Sequence, residues 1–119
     1  MRILRGEDLS AADYVDFAQA RKSLVTRATA RLAPYDALVM PTVPITPPTV
    51  QQIATLDGYI QHNRQMFRHT CPVNNLALCA LTIPVARDKA GMPVGLQLVM
   101  RAGSEERLLA VGYALERAL

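Results

Sequence analysis

The 119-residue sequence is poor in the side chains that most enzymes use for chemistry. Serine occurs only at Ser10, Ser23 and Ser104, lysine only at Lys22 and Lys89, and histidine only at His62 and His69. The cysteines are Cys71 and Cys79, and there is no tryptophan. Two cysteines do not make a disulfide framework, so both are read as reduced, buried thiols. The six glycines are scattered and form no phosphate-cradling loop, which disfavours nucleotide binding. No apolar run approaches the roughly 18 residues of a membrane span. The opening Met-Arg-Ile-Leu-Arg-Gly-Glu-Asp holds no long apolar stretch of the signal-peptide kind. The expectation is a cytoplasmic protein with no membrane partner.

Charge and apolar content narrow the class further. The net charge is +3, and the arginines are spread along the chain with no aromatic in a basic run. Nucleic-acid binding favours a basic stripe with interleaved aromatics, so no nucleic-acid partner is expected. Half of the residues are hydrophobic. That is enough for one collapsed domain, so disorder is not the main reading.

Periodicity lays out the elements. Leu9 to Ala33 reads as a long helix that Ser10 and Asp13 cap and Pro34 ends. Tyr14, Phe17, Ala18, Leu24, Val25, Ala28 and Leu32 form its apolar stripe. Residues 36–40 read as a short strand, and the apolar run of residues 37–40 implies an interior sheet position. Four prolines between residues 41 and 48 impose an extended surface loop. Residues 56–70 read as a helix closed by Pro72, and residues 74–79 are ambiguous. Residues 80–85 and 93–100 read as the two strands of a hairpin turning at residues 87–93. On the second strand Val94, Leu96, Leu98 and Met100 share one face, and Gly95, Gln97 and Val99 the other. Ser104 reads as the cap of a last helix over residues 105–118, with Leu108, Val111, Gly112 and Leu115 on its apolar face. The predicted fold class is α/β, with about three strands and flanking helices. Three strands leave a hydrophobic edge in need of a partner.

Candidate chemistry is sparse. His62, His69, Cys71 and Cys79 match no standard zinc spacing, so no metal is expected. Histidines seven residues apart share a face if one helix carries both. His69 and Cys71 could pair as a nucleophile and base, and that reading predicts rapid thiol labelling at neutral pH. Cys79 lies in apolar surroundings, which disfavour a thiolate nucleophile. Ser104 with Lys89 is a weaker pair, because capping already explains Ser104 and Lys89 falls in a turn. Gln97 reads either as an amide bonded within a buried layer or as a pocket residue.

Five segments carry a resemblance. They are Tyr-Asp-Ala-Leu-Val-Met-Pro-Thr (35–42), Thr-Cys-Pro-Val-Asn (70–74), Leu-Cys-Ala-Leu-Thr-Ile-Pro-Val (78–85), Gly-Met-Pro-Val-Gly-Leu-Gln-Leu-Val (91–99) and the Glu105-Glu106 helix opening. In this order they resemble the carboxyl-terminal end of the amidase signature family of C–N hydrolases. Where that family often has Gly-x-Pro, this chain has Ala77 and Cys79. The Leu-Cys-Ala-Leu form resembles the allophanate hydrolase-like and uncharacterised amidase branches more than the glutamyl-tRNA amidotransferase subunits.

The resemblance implies that residues 1–119 are a single segment without an internal linker, a carboxyl-terminal portion of a larger α/β/α fold. It implies hydrolysis of a small carboxamide by a Ser–cis-Ser–Lys triad lying outside this chain, which would be inactive alone. No residue here is expected to be catalytic and no cofactor is expected. Pro41, Thr42, Asn74 and Gln97 are the candidates for supporting a pocket wall. The competing reading is a stand-alone oligomerising or partner-binding α/β module without catalysis. Both readings predict self-association through an exposed sheet edge.

Overall fold

The computed structural model describes residues 4–119. After a short 3-10 turn at Leu4–Asp8 come α1 (Ala11–Leu32), β1 (Leu38–Pro41), α2 (Leu56–Met66), α3 (Thr70–Asn75), β2 (Cys79–Arg87), β3 (Pro93–Met100) and α4 (Glu105–Ala118). The strands form one antiparallel sheet in the order β1-β3-β2. The α/β class, the three strands and the hairpin agree with the sequence.

The predicted cap of α1 forms. Ser10 Oγ accepts from the Asp13 backbone N–H at 3.1 Å, and Asp13 accepts from the Ser10 backbone N–H at 3.0 Å. The Ser10 hydroxyl and then the Ser10 backbone N–H hold the Asp13 carboxyl below the usual carboxylate range. A depressed carboxyl pKa stabilises the folded state above the unfolded pKa, and the gain is lost as pH falls through the lower folded value. The first turn of α1 is therefore expected to fray in that acid window. Ser10→Ala should weaken the same amides at neutral pH and reduce their acid dependence, since the residue-10 backbone N–H still donates to Asp13, read by NMR hydrogen exchange.

The apolar stripe of α1 does not become core. None of its residues is buried; Tyr14 is 71% and Phe17 60% exposed. Periodicity shows that a helix has an apolar face but not that a partner for it lies within the same chain.

The interior position expected for the first strand is also corrected. β1 is an outer strand, with Leu38 and Val39 exposed. Its proline is the physical clue. Pro41 has no N–H for a second neighbour, and proline within a sheet keeps to edges, strand starts and bulges. The other outer strand holds Pro84 beside a bulge, whereas the middle strand has proline only at its first residue, Pro93.

The helix expected over residues 56–70 is two helices. Thr55 Oγ1 caps α2 by accepting from Gly58 N–H at 3.1 Å. Pro72 does not close that helix but lies in the first turn of α3. A missing N–H is harmless there, since the first helical N–H groups have no intrahelical acceptor. Beyond α3, Leu78 N–H reaches Val73 O at 3.0 Å and Ala77 N–H reaches Asn74 O at 3.2 Å. This is a Schellman closure with Ala77 in the left-handed region at φ 54°. Glycine suits that position better. Ala77→Gly is expected to stabilise the chain by about 1 kcal/mol, read by chemical denaturation.

The main hydrophobic cluster lies on one face of the sheet, while the fully buried Val99 lies on the other. Ile83, Leu98, Met100 and Leu108 are buried together, with Leu81, Val111 and Leu115 packed against them. The predicted α4 face is thus the one that docks. It approaches closely because a Cβ on Gly112 would lie 2.1 Å from Leu81 Cδ2. Arg107 of α4 also pairs with Asp36 ahead of β1.

The result is a slab of 50 × 43 × 18 Å with a radius of gyration of 17.4 Å. A compact domain of this length would measure about 13–14 Å. The accessible surface is 9345 Å², against about 6,300 Å² for a folded monomer of this mass. Buried hydrophobics are few: Val73, Ile83, Leu98, Val99, Met100 and Leu108. This is the geometry of one layer rather than of a closed domain.

Candidate functional site on the sheet face away from α4

The sheet face opposite α4 is built by alternation. Register places Met40, Gln97 and Thr82 in one row across β1, β3 and β2. One step along, Thr42 N–H donates to Gly95 O at 2.9 Å, so the ladder continues past Pro41. The hydroxyls of Thr42 and Thr82 meet at 3.2 Å. They meet across β3 because Gly95 has no side chain. A Cβ there would lie 2.7 Å from Thr42 Oγ1 and 2.9 Å from Thr82 Cγ2. Both threonines are β-branched and have little room to turn away. Gly95→Ala is expected to destabilise the chain by about 1–3 kcal/mol. Gly95→Ala together with Thr42→Ser should recover part of that loss in the same denaturation assay.

The Gly-x-Pro-x-Gly-Leu-Gln stretch thus acquires a geometry. Gly91 turns the hairpin at φ 81°, a conformation that glycine adopts without strain. Asp88 Oδ1 accepts from the Ala90 and Met92 N–H groups at 2.8 and 2.9 Å and holds that turn. Gly95 leaves space for the threonine pair. Gln97 is 5% exposed, and its Oε1 is buried without a hydrogen-bond partner.

Of the four predicted support residues, Thr42 and Gln97 share this face, while Pro41, the register partner of Leu96, turns to the α4 side. Pro41 and Thr42 end β1 beside Gly95 and Leu96, and Gln97 pairs with Met40 one step back. Asn74 stands apart as an exposed residue of α3. The link between them is His69, whose Nδ1 lies 2.7 Å from Pro41 O and which precedes α3 at its N-cap position. Near Asn74, Arg64, Phe67 and Cys71 complete the lining of a cleft of about 440 Å³. Sequence reasoning missed Thr82, the bond from His69 to Pro41 and the role of Gly95. The partner of His69 is 28 residues distant, and the threonine pair emerges only once the strand register is known.

The other candidates do not assemble. His62 and His69 do not share a helix: His62 Nδ1 bonds Gly58 O within α2 at 2.8 Å. Among the described residues no cluster of three histidine, cysteine, aspartate or glutamate side chains could hold a metal. Cys71 is exposed, contrary to the buried reading, because α3 turns it outward. Cys79 is half-buried, and its thiol donates to Arg101 O at 3.2 Å. Ser104 stands at the N-cap position of α4 but makes no side-chain cap bond, since its backbone (φ −106°, ψ 20°) departs from the extended shape of a cap. Ser23 lies exposed on α1, and Lys22 and Lys89 are exposed. Among the described residues no helix is long and apolar enough to cross a membrane.

An α/β layer with surplus apolar surface and a polar row on its half-open face is the kind of element found inside a larger enzyme fold. The amidase family model matches residues 1–109, and the chain belongs to the amidase family. It is 35% identical over 119 residues to a 2-amino-5-chloromuconic acid deaminase of Comamonas testosteroni, covering 97% of this chain and 25% of that protein. It is also 34% identical over 127 residues to an indoleacetamide hydrolase of Agrobacterium vitis, covering 96% of this chain and 26% of that protein. Among solved structures it resembles a variant of Kluyveromyces lactis allophanate hydrolase, with a TM-score of 0.82, 26% identity, and coverage of 92% of this chain and 17% of that one. The chain therefore spans about a quarter of the length of these curated relatives. Similarity spread over a deaminase and two kinds of hydrolase does not single out the allophanate hydrolase-like branch.

Proposed function

We propose that the chain is a carboxyl-terminal portion of an amidase, a single segment without an internal linker. In the whole enzyme a Ser–cis-Ser–Lys triad outside residues 1–119 would attack a small carboxamide, and the acyl-enzyme would be hydrolysed by water. The observation that carries this reading is the slab itself, whose surplus surface matches a layer waiting for its neighbours. Thr42 and Gln97 would support the pocket wall from this face of the sheet, with Pro41 behind them on the α4 side. Asn74 would do so from α3, tied in through His69 and Pro41.

Two preparations test it. The chain alone should turn over neither simple carboxamides nor a serine-reactive ester. The chain grafted in place of the matching quarter of the Comamonas testosteroni enzyme should restore turnover of that enzyme's own substrate. Turnover by the chain alone that Cys71→Ala or Ser104→Ala abolishes would sink the reading.

A second reading rests on the sheet edges. Among the described residues β1 and β2 each pair only with β3, so both present an unpaired side. Two copies could join there in a stand-alone module. Sedimentation equilibrium of the chain alone separates monomer from dimer.

A further inference from the structure

We propose that the apolar stripe on α1 is a seam that the remaining amidase polypeptide closes, with Tyr14 and Phe17 as its anchors. This rests on the reading of the chain as one layer of an amidase. A helix of 22 residues is about 33 Å long, and the burial of α1 is confined to its second half. There Val25, Ala28 and Leu32 are half-buried on the stripe. At the middle of the helix, Arg21 Nε donates to Asn75 O at the end of α3 at 2.9 Å. Ahead of it every residue from Ala11 to Ala20 is exposed. Tyr14 and Phe17 stand on the same stripe as Val25, Ala28 and Leu32, yet they are 71% and 60% exposed. The apolar face thus runs on past the point where these residues cover it. A surface helix carries such a face where it packs on something, and an exposed apolar patch marks an interaction site.

Area and length select the occupant. The chain exposes about 3,000 Å² more than a folded monomer of its mass. A standard interface buries about 800 Å² on each partner, so a second copy would leave most of that surplus in water. The chain spans about a quarter of its curated relatives, so most of an amidase lies outside the matched part. The family model takes in all of α1, which makes the helix amidase sequence rather than an addition to it. The uncovered half of the stripe is Tyr14, Phe17 and Ala18, none of them charged. It fits an apolar groove, with the two aromatic rings as the anchoring groups.

The test is one substitution in two settings. Phe17→Gln removes the ring and keeps a good helix former. In the chain alone it should leave the thermal midpoint within about 3 °C. In the graft with the remainder of the Comamonas testosteroni enzyme it should lower the midpoint by about 5–10 °C, because a ring is lost from the seam. Val15→Gln, off the stripe but also exposed, should leave both midpoints in place. A fall of that size in the chain alone overturns the proposal, since the chain would then cover the ring itself. An unchanged midpoint in the graft overturns it, and so does an equal fall from Val15→Gln. A graft with native Phe17 that does not fold overturns it too, since the seam would not fit. If the chain alone dimerises and Phe17→Gln dissolves the dimer, a second copy covers the stripe and the assignment to the amidase remainder fails. A folded graft with native Phe17 but no turnover counts against the amidase reading, and the thermal shifts still decide the seam.

Discussion

Leu98→Ala is expected to destabilise the chain by about 2–5 kcal/mol, which for a layer this thinly cored means loss of the folded state at room temperature. Leu98 is 2% exposed on the middle strand and packs with Ile83, Met100 and Leu108. Truncation removes apolar area from that cluster and leaves a cavity. The rigid β3 ladder, bonded on both sides, cannot move in to close it. Leu109→Ala is the control. It makes the same chemical change one residue beyond Leu108 on α4, but Leu109 is 60% exposed. Its effect on the chain alone should stay within about 0.5 kcal/mol, apart from helix propensity. Equal effects from the two substitutions in urea titrations would show that the core is elsewhere.

Gly112→Ala carries the second large effect, and two opposed contributions decide its sign. Alanine favours a helix interior over glycine by about 1 kcal/mol. Against that, the new methyl would sit 2.1 Å from Leu81 Cδ2, so Leu81 must leave its rotamer or α4 must lift off the sheet. Overpacking of this kind destabilises by about 1–3 kcal/mol. The overlap is severe, so the net outcome is destabilisation. Gly112→Val should be worse, because a branched side chain meets Ile83 Cδ1 as well, which already lies 3.9 Å from the added Cβ position. Leu81→Ala should rescue Gly112→Ala in a double-mutant cycle, with a coupling of about 1 kcal/mol or more. Simple additivity would place the close approach of α4 somewhere other than at Leu81.

Local signals in the sequence were reliable where the chain supplies its own partners. Ser10 and Asp13 lie three residues apart and cap each other. The hairpin follows from alternation and a polar turn. The α4 face of Leu108 and Gly112 docks on strands within reach. Reading failed where the partner is distant in sequence or where the described residues hold none. The stripe on α1 has the right spacing but no cover, so Tyr14 and Phe17 stay in solvent. The apolar run from residue 37 to 40 mimics an interior strand, yet Pro41 and the strand order make it an edge. Part of the site was legible. Thr42 and Gln97 stood out in their motifs, whereas Thr82 and the bond from His69 to Pro41 did not. Their contacts depend on strand register and on a return of the chain to Pro41, which no local pattern encodes.

Whether this chain is one layer of an amidase is decided most directly by turnover of the graft, with these residues in place of the matching quarter of the Comamonas testosteroni enzyme, beside the chain alone. The graft should turn over that enzyme's own substrate, and the 119 residues alone should hydrolyse no carboxamide. A folded but inactive graft, or hydrolysis by the chain alone, would contradict the layer reading.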